Sequence, residues 1–324
     1  MGYGSSYKGS LENQYGVGVS GVIHRMLESE YMTPPTISVV IVVFNGERYL
    51  RQAIESALDQ SYPPYEVVVI DDGSTDATLE IAHSFGDKVI CKVQQNQGPS
   101  AARNFGTEVS TGEWIAYLDA DDYWLPTKLE QQIAVAQRNP SVGLIYTGRT
   151  QVYEDGRSVV IPARDPGWNK RRLRFRNPMF PTTVLVRRSL ALQHPWDVSL
   201  RSSVDWWFFY QLSKVTEFAV IPGSTAIYRV HSESLTHRDW RSVLHYAQTV
   251  AIRIQEDLRG FARWKLKRRV DCRLLGSAAI SARTKDSRES LPLITRSIVS
   301  WPFPDVWPSR YKLFLHMLYR SLQR

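Results

Sequence analysis

Apolar and polar positions alternate without a sustained period over the first 35 residues and then fall into strict patterns. Residues 37–43 (ISVVIVV) form a nearly continuous β-branched run, the mark of a strand buried on both faces. Phe44-Asn45-Gly46 breaks it. Residues 47–60 place Leu50, Ala53, Ile54, Ala57 and Leu58 on one helical stripe, and Pro63-Pro64 ends that unit. Residues 66–70 predict a second strand. The DDGSTD that follows offers Ser74 or Thr75 as the cap of a helix over residues 76–85. A third strand is expected over 88–94, a helix starting over 100–107, a fourth strand over 114–118, and a helix over 126–138 with proline at its start. Strands alternating with helices at this spacing predict a parallel sheet with right-handed crossovers.

Ligands of such sheets lie beyond the carboxyl ends of the strands. The first strand ends at Asn45, the second at Asp71-Asp72, and the fourth runs into YLDADDYW with Asp119, Asp121 and Asp122. Helix capping by Asp72, Ser74 and Asp76 accounts for one or two of these acids and leaves the 119–122 group unexplained. Carboxylates this close repel unless a cation sits among them. Hard oxygen donors suit Mg²⁺ or Mn²⁺, which usually share their coordination with substrate phosphates. The P-loop pattern G-x-x-x-x-G-K-[ST] does not occur, and GVGVSG near the N-terminus has no strand before it, so neither nucleotide fingerprint applies.

Composition narrows the class. The chain has 324 residues, 43% apolar and 22% charged, with two cysteines, Cys91 and Cys272. That excludes a disulfide framework and points to a reducing compartment. The apolar run at 37–44 is too short to span a bilayer, and MGYGSSYKGS lacks the apolar core of a signal peptide. Net charge is +8, unevenly spread: residues 238–324 hold 18 Lys and Arg against 7 Asp and Glu, net +11, which leaves −3 for residues 1–237. A second basic cluster, RDPGWNKRRLRFR, spans residues 164–176. Such patches suit anionic partners, or serve as solvated faces.

Taken in order, ISVVIVVFNGERYLRQAIESALDQSY, VVVIDDGSTD, NQGPSAARNFG and WIAYLDADDYWLPTKLE resemble the successive motifs of inverting family 2 glycosyltransferases of the bacterial cell-surface polysaccharide type. The resemblance covers residues 37–237. It implies an α/β GT-A fold, with a Rossmann-like nucleotide-binding half, an acceptor-binding half and a C-terminal helical extension. By the same resemblance Asp72 reads the nucleotide base, usually uracil, and Phe44 lines the base pocket, with Asn45 and Glu47 on the same nucleotide-sugar-binding edge. Arg103 lies near the nucleotide. Asp119-Ala120-Asp121 is the D-x-D element, with Asp119 toward the ribose and the metal and Asp121 ligating Mn²⁺ or Mg²⁺. The first motif departs from the family, which often has Pro and a small polar residue near Val42-Val43.

PTTVLVRRS, from Pro181, resembles the acceptor-side strand. In SSVDWWFFYQLSK, Asp205 occupies the position of the family's catalytic base, while Val204 replaces the usual Glu. The competing role for Asp205 is to cap a helix over 206–212. Aromatics beside a carboxylate can raise its pKa and stack on sugar rings. AIYRVHSES resembles the family's Tyr-Arg-x-His, which implies His231 near the metal or diphosphate and Arg229 as a phosphate counter-charge.

The implied activity is metal-dependent hexosyl transfer from a nucleoside-diphosphate sugar, a UDP-sugar by the resemblance, to a hydroxyl of a glycan or polyprenyl-linked acceptor. The expected organisation is a mobile arm over 1–35 with one short helix near 22–31, a GT-A domain over 36–237, and a basic helical region over 238–324. Trp301, Phe303, Trp307 and a last helix with Tyr311, Leu315, Leu318 and Leu322 near one face fit an anionic membrane surface, or packing on the catalytic domain. The expected location is cytoplasmic, peripheral on the inner face of the membrane. Two alternatives stand beside this: an inactive glycosyltransferase-like scaffold and a basic nucleic-acid-binding protein. The acids at the strand ends argue against a nucleic-acid partner.

Overall fold

Alternate residues of strand β1 (Ile37–Val43), buried along its whole length, serve two different cores. Val40 and Val42 pack with Val68, Ile70, Ile115 and Tyr117 on one face of the sheet. Val39, Ile41 and Val43 pack with Val67, Val69, Ala116 and Leu118 on the other. The lone polar residue, Ser38, is satisfied by donating to Glu66 Oε1 at 2.6 Å. A strand with both faces dry needs an unbroken apolar run, and that is what the sequence supplies.

The computed structural model describes residues 34–231, 240–284, 289–303 and 310–322. The expected N-terminal helix, the GVGVSG segment and Trp307 lie outside them. Residues Thr36–Arg324 form one compact unit. In it, helix α1 (Leu50–Leu58) follows β1, and strand β2 (Glu66–Asp71) leads to helix α2 (Thr78–His83). Strand β3 (Ile90–Val93), helix α3 (Pro99–Val109) and strand β4 (Trp114–Asp119) complete the parallel part. Next come β5 (Tyr123–Trp124), α4 (Lys128–Arg138), β6 (Val142–Tyr153), β7 (Ser158–Ile161) and α5 (Pro166–Arg172). Strand β8 (Val184–Arg187), helices α6 (Arg188–Gln193) and α7 (Val204–Val215), and strand β9 (Glu217–Val230) follow. The sheet order is β3-β2-β1-β4-β8-β6-β9-β5, with β7 beside β6. The first four strands are parallel, as the alternation predicts. The second half is mixed: β8 is antiparallel to β4 and β6, and β9 is parallel to β6.

The element starts differ from the sequence reading for local reasons. Helix α1 begins at Leu50 rather than 47, because the Gly46 carbonyl accepts from Tyr49 and Leu50 N–H at 3.0 Å and the preceding residues serve a neighbouring loop. At α2 the first N–H groups turn to Asp76, whose Oδ1 accepts from Thr78 N at 3.0 Å, not to Ser74 or Thr75. Pro126 stands before α4, where its carbonyl accepts from Ser61 N at 2.8 Å. Gly106 on α3 is a close approach: a Cβ there would come within 2.4 Å of Val40 Cγ1. Its absence lets α3 lie against β1, which brings Arg103, one turn earlier, to the strand ends.

Four further helices follow β9: α8 (Trp240–Glu256), α9 (Gly260–Thr284), α10 (Ser290–Ser300) and α11 (Arg310–Leu322). Ala247, Val250, Ala251 and Ile254 of α8, with Leu266 and Val270 of α9, belong to the same core as β1 and α7. Leu275, Ala279, Ile294 and Met317 form a smaller core with Trp240. Trp301 is buried, while Phe303, Leu315, Leu318 and Tyr319 are exposed.

Candidate active site

The register fixes where the strands stop. Val42 lies opposite Asp119 and Val43 opposite Asp71, so β1, β2 and β4 end level with one another. Their loops are then laced together. Asn45 adopts φ of +51°, its N–H donates to Ser74 Oγ at 2.9 Å, and its Oδ1 accepts from Thr75 N at 2.9 Å. Glu47 N–H donates to Asp76 Oδ2 at 3.1 Å, while Glu47 Oε2 accepts from Ala77 N at 3.1 Å. Asp72 is buried and holds the next loop: its Oδ1 accepts from Gln94 Nε2 (2.7 Å) and Gln97 N (2.9 Å), and its Oδ2 from Gly98 N (2.8 Å). Asn45, Glu47 and Asp72 therefore build the rigid rim, and Phe44 stands half out of it at 50% exposure.

The acids after β4 occupy three distinct settings. Asp119 pairs with Arg103, whose guanidinium also lies 4.9 Å from the centre of the Trp196 ring. Ala120 is buried below Gly46. Asp121 Oδ2 lies 3.0 Å from His231 Nε2. Burial, and next the charge of Asp119, push the Asp121 carboxyl above the usual carboxylate range. Asp122 is fully buried, accepts from Arg229 N at 3.0 Å, and is pushed well up by burial and then by Asp121 and Asp119. Burial is the larger cause of both shifts and the neighbouring acids the next.

Arg229 pins the loop. Its Nη1 donates to the Asp121 carbonyl at 2.5 Å and its Nη2 to Gln52. Its guanidinium lies between the Tyr49 and Tyr123 rings, 4.8 and 4.6 Å from their centres. The His231 ring meets Tyr49 at 5.4 Å. Gln52, Tyr49 and Trp196 are positioning residues that sequence reasoning missed. The stripe of α1 carries no sign that its polar side faces a strand end nearly 180 residues away.

Asp205 sits in the first turn of α7. The residue ahead of the helix is Ser203, in a left-handed conformation with φ of +59°, so Asp205 is inside the helix and not its cap. Its Oδ1 accepts from Trp206 N at 2.8 Å and its Oδ2 from Asn177 Nδ2 at 2.6 Å. Asn177 is itself fixed, its Oδ1 accepting from Met179 N at 3.0 Å. Val204 is buried. Burial raises the Asp205 carboxyl above its ordinary range. Arg103 acts in the opposite sense and Asp119 in the same sense, so Asp205 lies in the field of the Arg103–Asp119 pair. Trp206 and Phe208 are core residues at 3% and 1% exposure. Being buried in the core, these two rings are not placed to stack on a sugar, which the sequence reading allowed.

Among the described residues, no three His, Cys, Asp or Glu side chains are arranged to enclose a metal by themselves. The Asp121–His231 contact is a two-donor edge beside a partly exposed Asp119. That set fits a divalent ion of the kind that completes its shell with ligand phosphates.

Comparison with known proteins bears on the fold. Residues 38–192 match Glycosyl transferase family 2. An uncharacterized glycosyltransferase of Rickettsia typhi is 32% identical over 195 residues, a match covering 56% of this chain and 60% of that protein. S. aureus TarS in complex with UDP-GlcNAc superposes with a TM-score of 0.62 at 20% identity, over 82% of this chain and 81% of that one. The mannosyltransferase PcManGT from Pyrobaculum calidifontis, in complex with GDP-Man and Mn²⁺, gives 0.57 at 15% identity, over 90% and 84%. An α/β fold with a Rossmann-like half and a mixed-sheet half, continued by helices, is the GT-A fold of glycosyltransferases. The matched segment is just under half of the chain, and the chain spans about 60% of the length of the first curated relatives it matches.

Proposed function

We propose that the protein transfers a hexose from a nucleoside-diphosphate sugar to a hydroxyl of a saccharide acceptor, with inversion at the anomeric carbon. The observation that carries this reading is the placement of Asp205. A raised, buried carboxylate, oriented by Asn177, stands in the field of the Arg103–Asp119 pair at the strand ends. In this reading Phe44 and the rim built by Asn45, Glu47 and Asp72 receive the base. Asp119, Ala120 and Asp121 receive the ribose and diphosphate. Arg103 and Arg229 add positive charge, although Arg229 acts chiefly by holding the Asp121 loop.

Asp121, His231 and Asp119 would hold Mn²⁺ or Mg²⁺ together with the diphosphate. When bound, that ion would supply Lewis-acid stabilisation of the leaving nucleoside diphosphate. Asp205 Oδ accepts the proton of the acceptor hydroxyl as that oxygen attacks. A single displacement inverts the configuration. The solved structures with UDP-GlcNAc and GDP-Man support a nucleotide-sugar donor, and the one with Mn²⁺ supports a divalent ion.

Thermal unfolding with UDP, GDP and their sugars, with and without Mn²⁺, tests the donor side. One nucleotide at about a hundredfold excess over its Kd should stabilise the protein by about 2.7 kcal/mol, and only with the metal. No protection by any of them would overturn the reading. Protection without turnover on any acceptor would favour the inactive scaffold. A salt-sensitive affinity for nucleic acid without nucleotide-sugar protection would favour a nucleic-acid-binding protein.

The helical region supports a second statement, that the protein docks on an anionic membrane surface. Among the described residues no helix is long and apolar enough to cross a membrane. Phe261 and Trp264 of α9 instead stand exposed and stacked, ring centres 5.4 Å apart, among exposed Arg263, Lys265 and Lys267. Apolar rings among basic residues suit an anionic interface. Because α8 and α9 share the main core, the test keeps the whole chain. The wild type should sediment with phosphatidylglycerol vesicles and not with phosphatidylcholine, and Phe261→Ser/Trp264→Ser should lose most of that binding. Equal sedimentation of the two proteins would leave these rings without a membrane role.

A further inference from the structure

Asp205 stands just past a bend that its own sequence does not favour. Ser203 holds φ of +59°, and a serine stays in the left-handed region only where its surroundings fix it. Burial of Phe208, Phe209 and Leu212 fixes the body of α7, but it does not set the turn at the start of the helix. The carboxylate's own partners are Trp206 N, in that same turn, and Asn177. Whatever holds the bend therefore decides where the carboxylate stands.

Contacts from both sides of Ser203 converge on one side chain of the C-terminal helices. Upstream, Arg253 Nη1 of α8 donates to Asp197 Oδ2 at 2.5 Å. Asp197 Oδ1 accepts from Ser199 N at 2.8 Å and from Ser199 Oγ at 2.6 Å. Burial raises the Asp197 carboxyl, but the bonds from Ser199 and Arg253 outweigh it and hold the group below its ordinary range. Downstream, the same Arg253 guanidinium lies 5.5 Å from the centre of the Trp207 ring on α7. One turn further on, Asp257 Oδ2 accepts from Tyr210 Oη at 2.5 Å, and the Tyr210 ring stacks on Trp207 at 6.0 Å. Residues three and four apart share a helix face, so one edge of α8 grips one edge of α7.

An isolated surface ion pair contributes little. This pair is partly buried and continues into the site. Trp196, the residue before Asp197, is tied to Asn104 twice: its N–H donates to Asn104 Oδ1 at 2.8 Å, and its carbonyl accepts from Asn104 Nδ2 at 2.9 Å. Its ring stacks on Phe208 at 4.0 Å, and the Arg103 guanidinium lies 4.9 Å from the ring centre. The segment that Arg253 grips thus touches the donor-side arginine at one end and leads into the base at the other.

We propose that Arg253 is a positioning residue for Asp205: by holding Asp197 and the Trp207 ring at once, it fixes the bend at Ser203 that sets the carboxylate in place. The C-terminal helices are then part of the catalytic apparatus, and not only a support or a docking surface. The word catalytic rests on the glycosyl-transfer reading; the grip on the bend does not.

The test uses the full chain with Arg253→Gln, Arg253→Lys and, from the other end of the pair, Asp197→Asn. Amide hydrogen exchange reads the bend directly, because the Trp206 N–H is bonded to Asp205 Oδ1. Exchange over residues 203–207 should speed up about tenfold in Arg253→Gln and in Asp197→Asn, the scale of one lost charge-assisted bond, with β1 and β4 unchanged. Turnover is followed as release of the nucleoside diphosphate from UDP-GlcNAc or GDP-mannose, whichever protects the wild type. Below the melting midpoint, Arg253→Gln should lower kcat about ten- to a hundredfold, the cost of a small misplacement, with the donor KM unchanged. Arg253→Lys should recover part of kcat, since it keeps the charge opposite Asp197 and loses the planar group over Trp207. Should Arg253→Gln fold poorly, Asp197→Asn carries the same two readouts. Exchange that is unchanged at residues 203–207, or that rises equally in β1 and β4, overturns the proposal, as does a local rise with kcat unaltered. If the wild type turns over neither donor, the transfer reading falls by itself, and the exchange data still decide whether Arg253 holds the bend.

Discussion

Asp205→Asn is expected to lower the rate of sugar transfer by about 10²–10⁴-fold, the usual worth of general-base help, while donor binding stays intact. The amide nearly keeps the shape of the carboxylate and can still accept from Trp206 N, at the cost of the bond from Asn177 Nδ2, which its NH2 cannot accept. It cannot take a proton. A rate above about a tenth of wild type would remove Asp205 from the base role, given that 10²–10⁴-fold expectation. The pH profile gives a second reading. Burial holds the Asp205 carboxyl above the ordinary range near ~3.9. The acid limb of wild-type kcat/KM should therefore fall at a pH above that value, and the variant should lack it. Stability carries the opposite sign. A raised carboxyl contributes stability that is fully present below its unfolded pKa and lost as pH rises through its folded one. The variant, which cannot ionise, should gain on the wild type in melting midpoint as pH rises from about 4 toward neutrality.

The parallel half of the fold was legible because one physical rule governs it. A strand dry on both faces must be apolar throughout, so β1, β2 and β4 announce themselves, and the polar residues that end them mark the ligand edge. Element starts were less legible, because hydrogen bonds to distant loops decide them. Glu47 reads as the first turn of a helix and is instead tied to Asp76 and Ala77. The mixed half carried less signal. Strand β9 has polar residues and register shifts against β6, and its role emerges only from pairing with β5 and β6. Within the site, Asp121 and His231 were nameable by motif, and their 3.0 Å contact follows from β9 returning to the end of β4. Asn177 was not nameable. It lies 28 residues from Asp205, in RNPMF, and nothing in its spacing indicates a partner.

Asp121→Ala is expected to abolish Mn²⁺-dependent binding of the nucleoside diphosphate without weakening the unliganded fold. The two halves of this expectation come from one fact. Asp121 is a half-exposed carboxylate held up by burial and by Asp119, beside the still more strongly shifted Asp122. In the unliganded protein its charge is therefore a cost at neutral pH. Its contribution is favourable below the unfolded carboxyl range and is lost as pH rises through its folded pKa. Removing the carboxylate relieves the repulsion, so the variant should melt no lower than wild type at pH 7 and should lose that parity at acid pH. A ligand residue does the reverse when metal and nucleotide arrive, because the same charge then has a divalent partner. Calorimetry with UDP or GDP should show metal-dependent binding in the wild type and none in the variant, alongside an unlowered melting midpoint. Unchanged affinity would rule Asp121 out as a ligand. A fall in both binding and midpoint at neutral pH would identify its bond to His231 as structural, with the strand-end acids held by the fold for a reason other than a metal.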